Sequence, residues 1–276
     1  MSKTINDSIE KLIEIMGKLR TPVTGCPWDL EQDYSSILPY TIEEVYEVAD
    51  AIERSDFEDL KGELGDLLFQ IIFYAQLAKE EGKFEFSDIV EGICHKLITR
   101  HPHVFDENHD KNIENSSDVL KRWEDQKQVE REAKLVNSHV SDSIASLLDD
   151  IPKVLPELKR AQKIQTRVAK QGFDWPDVSH VWEKLNEESE EVKQAVKENN
   201  LEDIEDEIGD LLFVCVNLAR HYHLDAEQAL RKANQKFEKR FRKVEELAQE
   251  PISNFTLEEL ECFWTRAKEL TKAKRR

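Results

Sequence analysis

The 276-residue sequence is poor in turn residues, with only eight glycines and eight prolines, about half their usual combined share. That scarcity argues against a β-sandwich, a barrel or a glycine-loop nucleotide binder, all of which need such residues at their turns. Cysteine is scarce too. Cys26, Cys94, Cys215 and Cys262 are scattered and form no CxxC, which suits reduced thiols better than a zinc site or a disulfide frame. The longest apolar runs, such as Leu211–Val216, are short, far below the roughly 18 residues of a membrane span. The first residues, MSKTINDSIEK, have no apolar signal core, so no membrane partner and a cytoplasmic location are expected. Positive charge is the scarcer sign: 39 Lys and Arg face 58 Asp and Glu, a net charge of −19. This excludes a nucleic acid held on a broad basic face. An anionic ligand remains compatible where divalent cations reverse the local sign.

What remains is 39% apolar and 35% charged, enough for amphipathic packing in one large or two ordinary domains. The chain also repeats itself. FEDLKGELGDLLF at 57–69 lies over LEDIEDEIGDLLF at 201–213, an offset of 144 with eight identities in thirteen positions. At the same offset Glu43, Glu44 and Glu47 fall on Glu187, Glu188 and Glu191. Lys96 and Arg100 match Lys236 and Arg240 at an offset of 140, and Trp123 and Lys127 match Trp264 and Lys268 at 141. Two homologous modules are expected, residues 1–137 and 138–276, joined near the polar stretch VNSHVSDS.

Each module reads as helix. Residues 41–53 place Ile42, Val45, Val48 and Ile52 at helical spacing, with Thr41 as the expected cap and Glu43 and Glu44 in the first turn. Residues 58–79, 202–222 and 227–249 continue as long amphipathic helices. No segment alternates strictly between turn signals. The expected fold is all-α, two tandem helical-bundle modules of four or five helices each.

Carboxylates are spaced on these helices in a way that suggests chemistry. Glu188 and Glu191 stand three apart on one helix, and Glu207 and Asp210 three apart on the next. Residues i and i+3 share a helix face, so antiparallel neighbours would bring four carboxylates together. Such a cluster repels itself unless a hard cation such as Mg²⁺ or Mn²⁺ binds. The first module carries the same set as Glu44, Glu47, Glu63 and Asp66. Asp66 and Asp210 sit inside Gly-Asp-Leu-Leu-Phe, a setting that places them near a buried face, where an unpaired carboxylate is costly. Glu187, turned about 100° from Glu188, is a candidate to orient a water or to sit outside the ligand set. Lys236 and Arg240, one turn apart, suit a phosphate clamp. Asn217, seven residues after Asp210 on the same face, is a further candidate ligand, and its counterpart Phe73 cannot ligate.

The pattern EExxE, then a second Glu sixteen residues on, then ExxD, resembles the MazG family of all-α nucleoside triphosphate pyrophosphohydrolases. GCPWDLEQ at 25–32, YTIEEVYEVADAI at 40–52, RHPHVFD at 100–106, RAQKIQ at 160–165, GFDW at 172–175 and KANQKFEKRF at 232–241 carry the resemblance along the chain. The resemblance implies Mg²⁺-dependent cleavage of a nucleoside triphosphate between the α and β phosphates, giving the monophosphate and pyrophosphate. It also implies a homodimer, and it assigns Trp264 and Lys268 to nucleotide binding. The competing reading is a helical interaction or regulatory protein whose acidic faces only solubilise it. A di-iron carboxylate bundle is disfavoured because its paired ExxH signature is absent from the sequence. The pairs His101/His103 and His221/His223 lack the spacing of a zinc site, and His109-Asp110 lacks partner histidines.

Overall fold

The computed structural model describes residues 4–105, 119 and 146–272. The expected joint at 136–143, the pair Trp123 and Lys127, and His109 lie outside the described residues. The chain divides into two units, Met1–His139 and Val140–Arg276. Among the described residues every regular element is a helix, and none is long and apolar enough to cross a membrane.

The first unit contains α1 (Ile5–Leu19), α2 (Pro27–Glu31), α3 (Tyr34–Arg54), α4 (Phe57–Glu80), α5 (Phe86–Arg100) and the single turn α6 (Pro102–Phe105). Its core joins α1, α3 and α4 through Met16, Ile37, Ile72, Phe73 and Leu77. Each such side chain contributes about 1.5–3 kcal/mol by leaving water. The second unit contains α7 (Glu157–Ala169), α8 (Val178–Glu198), α9 (Leu201–His221), α10 (Ala226–Ala248), a short 3₁₀ turn over Ile252–Asn254, and α11 (Leu257–Lys272). Val181, Val214, Val216 and Val244 are buried there.

Helix α3 begins earlier than its apolar spacing suggests. Thr41 is not a cap: Asp33 caps the helix, accepting from the Ser35 and Ser36 N–H groups at 2.8 Å each. The helix then runs through Pro39. Proline removes a helix hydrogen bond, and six residues beyond the cap Pro39 lies past the first turn, so α3 forgoes one backbone bond there. Thr41, inside the helix, shares a 2.9 Å hydrogen bond with the Tyr74 hydroxyl on α4. Glu43 and Glu44 therefore lie well past the first turn, and the helix dipole does not explain them.

The two units build the same hairpin. Ser55 ends α3 in the left-handed region at φ 57°, and Asn199 ends α8 at φ 55°, again 144 residues apart. The next N–H closes each cap: Asp56 donates to Ala51 O at 3.0 Å and Asn200 to Ala195 O at 3.5 Å. Such 6→1 bonds satisfy helix-end carbonyls and turn the chain sharply. Asp56 and Asn200 then cap the following helices with their side chains. Helix α3 thus packs along α4, and α8 along α9, which sets the carboxylates of each pair side by side.

Candidate metal and nucleotide site

In the second unit Glu188, Glu207 and Asp210 each bring an oxygen within 4.8 Å of the others, and Glu44, Glu63 and Asp66 do the same in the first. Six of the eight expected carboxylates therefore converge in two matching groups of three. Glu191 borders its group. Desolvation raises its pKa, and the charges of Glu188 and Glu207 add to this against the opposing Lys184. Glu207 is raised by desolvation, then by Glu188 and Asp210. In the first unit Glu44 is raised by desolvation and by Asp66, and Glu63 by desolvation and by Glu47. Glu47 thus borders its group as Glu191 does.

The expectation that Asp66 and Asp210 lie against a buried face is overturned. Both are exposed, because the apolar run around each is itself partly open: Leu64 and Leu212 are about half exposed. The buried carboxylate is Glu188, only 3% exposed. Lys184, one turn earlier on α8, holds one Glu188 oxygen at 2.7 Å and also Glu187 at 2.7 Å. The other Glu188 oxygen, Oε2, is buried without a hydrogen-bond partner. A buried, unpaired carboxylate oxygen is costly, and an all-oxygen donor set suits a hard divalent cation. The residues fit such an ion. Lys184 was missed by sequence reasoning, although its i,i+4 spacing to Glu188 signals such a pair; its Tyr40 counterpart in the first unit offers no charge.

Asn217 is buried but is not one of the three clustered ligands. Its Oδ1 accepts from Arg220 Nε at 2.9 Å and Nη2 at 2.7 Å, and Arg220 also binds Asp174. Desolvation pushes the Asp174 carboxyl up, but the Arg220 bond and charge reverse this and leave it below the ordinary range. Phe73, at the corresponding place, is 1% exposed and belongs to the core of the first unit, with the Arg20 guanidinium 5.4 Å from its ring centroid.

The expected phosphate and nucleotide contacts form a separate group on α10 and α11. Arg240 lies 6.0 Å and the Lys268 ammonium 5.9 Å from the Trp264 ring centroid, and Phe237 packs on that ring at 5.1 Å. Lys236 is exposed one turn before Arg240. Arg240 Nε is buried with no hydrogen-bond partner.

The fold and site define a class: an all-α protein in which helical hairpins gather carboxylates into groups that could hold a metal ion, twice in one chain. The model of the MazG nucleotide pyrophosphohydrolase domain matches residues 32–105 and 178–245, one segment over each hairpin. The chain is 51% identical to the nucleoside triphosphate pyrophosphohydrolase of Escherichia coli strain K12, with 95% of this chain and 97% of that one covered. It is 40% identical to the nucleoside triphosphate pyrophosphohydrolase/pyrophosphatase MazG of Thermotoga maritima, with 94% and 95% covered. The chain belongs to the MazG family, in its two-module form.

Proposed function

We propose that the protein is a Mg²⁺-dependent nucleoside triphosphate pyrophosphohydrolase, cleaving between the α and β phosphates to give a monophosphate and pyrophosphate, with Mn²⁺ as an alternative ion. The observation that carries this reading is the buried, unpartnered Glu188 oxygen in a three-carboxylate group, within a chain of this family. An acidic face that only solubilised the protein would not bury Glu188.

In this reading Glu188, Glu207 and Asp210 hold the cation, with Glu191 as a fourth carboxylate. The bound ion would neutralise phosphate charge and lower the pKa of the attacking water. Glu187, bound to Lys184, orients that water or sits outside the ligand set. Lys236 and Arg240 hold the phosphate tail, while Trp264 and Lys268 supply a stacking face and a charge. Residues 1–137 and 138–276 form the two modules, and the first keeps its own cation set at Glu44, Glu47, Glu63 and Asp66. The apolar side chains left open beside the carboxylates, Leu64, Ile208 and Leu212 among them, fit a homodimer, which we place in the cytoplasm.

The test is pyrophosphate release from NTP with Mg²⁺, compared with the chelated protein and with Glu207→Gln, alongside Mn²⁺ binding read by electron paramagnetic resonance. Release that stops on chelation, and a variant deficient in both, are expected. A folded Glu207→Gln protein with normal turnover would overturn the assignment.

A further inference from the structure

The two acidic groups differ by one charge at contact distance. In the second unit the Lys184 ammonium lies 2.7 Å from a Glu188 oxygen and 2.7 Å from a Glu187 oxygen. The repeat of 144 residues sets Tyr40 at the same place in the first unit. Tyr40 is neutral at ordinary pH and exposed, and its ring meets Trp28 edge-on at 5.7 Å. The charges that press hardest on Glu44 are those of Asp66, Glu47 and Glu63, and on Glu63 those of Glu47, Asp59 and Asp66. On Glu191, by contrast, the charge of Lys184 acts more strongly than that of Glu188.

An ammonium on a carboxylate and a divalent cation seek the same oxygens. Lys184 reaches Glu188 along its own helix, from one turn earlier, and occupies one carboxylate oxygen while Oε2 stays buried and unpartnered. A divalent ion that uses both oxygens must displace the ammonium, and one that uses Oε2 alone sits close to a like charge. Either way it binds more weakly than it would without the lysine. Glu187 keeps a partner for Lys184 when Glu188 is given up, so displacement strands no charge and the group stays open to the ion.

We propose that Lys184 is a resident counter-ion that competes with the divalent cation for Glu188, so that the second group takes up the bare ion at a higher concentration than the first, where Tyr40 offers no competition. The inference rests on the reading of both carboxylate groups as cation sites and adds the residue that sets them apart in affinity. Lys184 acts through Glu188 and is a positioning residue: it holds that carboxylate in the metal-free protein and yields it to the ion.

The experiment counts bound Mn²⁺ by electron paramagnetic resonance in the full-length protein without nucleotide, with Glu63→Gln and Glu207→Gln assigning the classes of site. Wild type should show a tighter class that Glu63→Gln removes and a class about tenfold weaker that Glu207→Gln removes, a factor of about 1.4 kcal/mol. Lys184→Met should tighten the weaker class about tenfold and leave the other within about twofold. Lys184→Arg, which keeps the charge, should bind as wild type does, and Tyr40→Lys should weaken the tighter class. The sign discriminates, because a lysine that only held Glu188 in shape would weaken Mn²⁺ binding when removed. Unchanged or weaker binding in folded Lys184→Met would overturn the proposal; where that variant does not fold, unchanged binding in Tyr40→Lys would do so. Two classes of equal affinity in wild type, or the tighter class at Glu207, would also overturn it. Pyrophosphate release from NTP is measured on the same samples. The binding pattern without turnover would refute the hydrolase reading and support the counter-ion, turnover without the pattern would refute the counter-ion alone, and no Mn²⁺ binding in wild type would sink both.

Discussion

At the scale of single residues, the second site is governed by Glu188 and Lys184. With one oxygen on Lys184 and the other unpartnered, Glu188 carries a desolvated charge that only part of the site offsets. Lys184→Met should destabilise the metal-free protein by about 2 kcal/mol, the cost of unpairing a buried charge discounted because the lysine is partly exposed. Added Mg²⁺ should recover part of that loss, as denaturant melts would report. Glu207 makes the complementary case. Its pKa is raised in the folded protein, so the stability linked to its proton is present below the ordinary carboxylate range and is lost as pH rises through the raised value. Glu207→Gln should therefore melt higher than wild type at pH 8 without metal, with the gap closing below about pH 4. The same variant should lose the rise in melting temperature that Mg²⁺ gives wild type, a comparison for scanning calorimetry. The carboxylate spacing was legible because i,i+3 pairs on adjacent helices leave a clear trace. Lys184 was not, because Lys–Glu pairs at i,i+4 are common on any charged helix and burial decides which matter.

At the scale of elements, short-range chemistry sets where helices begin and end. Asp33 overrode Thr41 as the cap of α3 because it offers its carboxylate to two N–H groups at once, and the helix continues through Pro39 at the loss of one backbone hydrogen bond. No periodicity reveals that choice. The hairpins at Ser55 and Asn199 were equally hidden, since neither is glycine although both adopt positive φ; only the repeat, with Asp56 and Asn200 at equivalent places, points to them. Gly25 shows the opposite case. A Cβ there would sit 2.2 Å from the Leu19 carbonyl oxygen, in the bend where Cys26 N–H donates back to Leu19 at 2.8 Å. Gly25→Ala should cost about 2 kcal/mol or more, read by chemical denaturation. Arg20, which ties this bend to Glu80 on α4 at 2.7 Å, should transmit the damage to the core around Phe73.

At the scale of the whole molecule, duplication explains the architecture, and the two copies are unequal. Both keep three converging carboxylates, but the second places Asn217 in a cavity where the first has Phe73 in its core. If catalysis needs that cavity, Glu207→Gln should abolish hydrolysis while Glu63→Gln leaves most of it, in initial rates at saturating Mg²⁺ and NTP. Dimer content must be matched by light scattering, and equal losses would mean that both modules turn over substrate. Duplication was legible from the 144-residue offset alone. The imbalance was half legible: the Asn217/Phe73 difference stood in the sequence, but its meaning did not, because helical spacing placed Asn217 beside the cation while the fold binds it to Arg220. The central claim is that the carboxylate group directs water to the α–β bridge of a nucleoside triphosphate. Phosphorus NMR of the products formed from one NTP with Mg²⁺ tests it most directly. Monophosphate and pyrophosphate in equal amounts, with no reaction after chelation, are the predicted result; diphosphate and inorganic phosphate, or turnover that survives chelation, would contradict it.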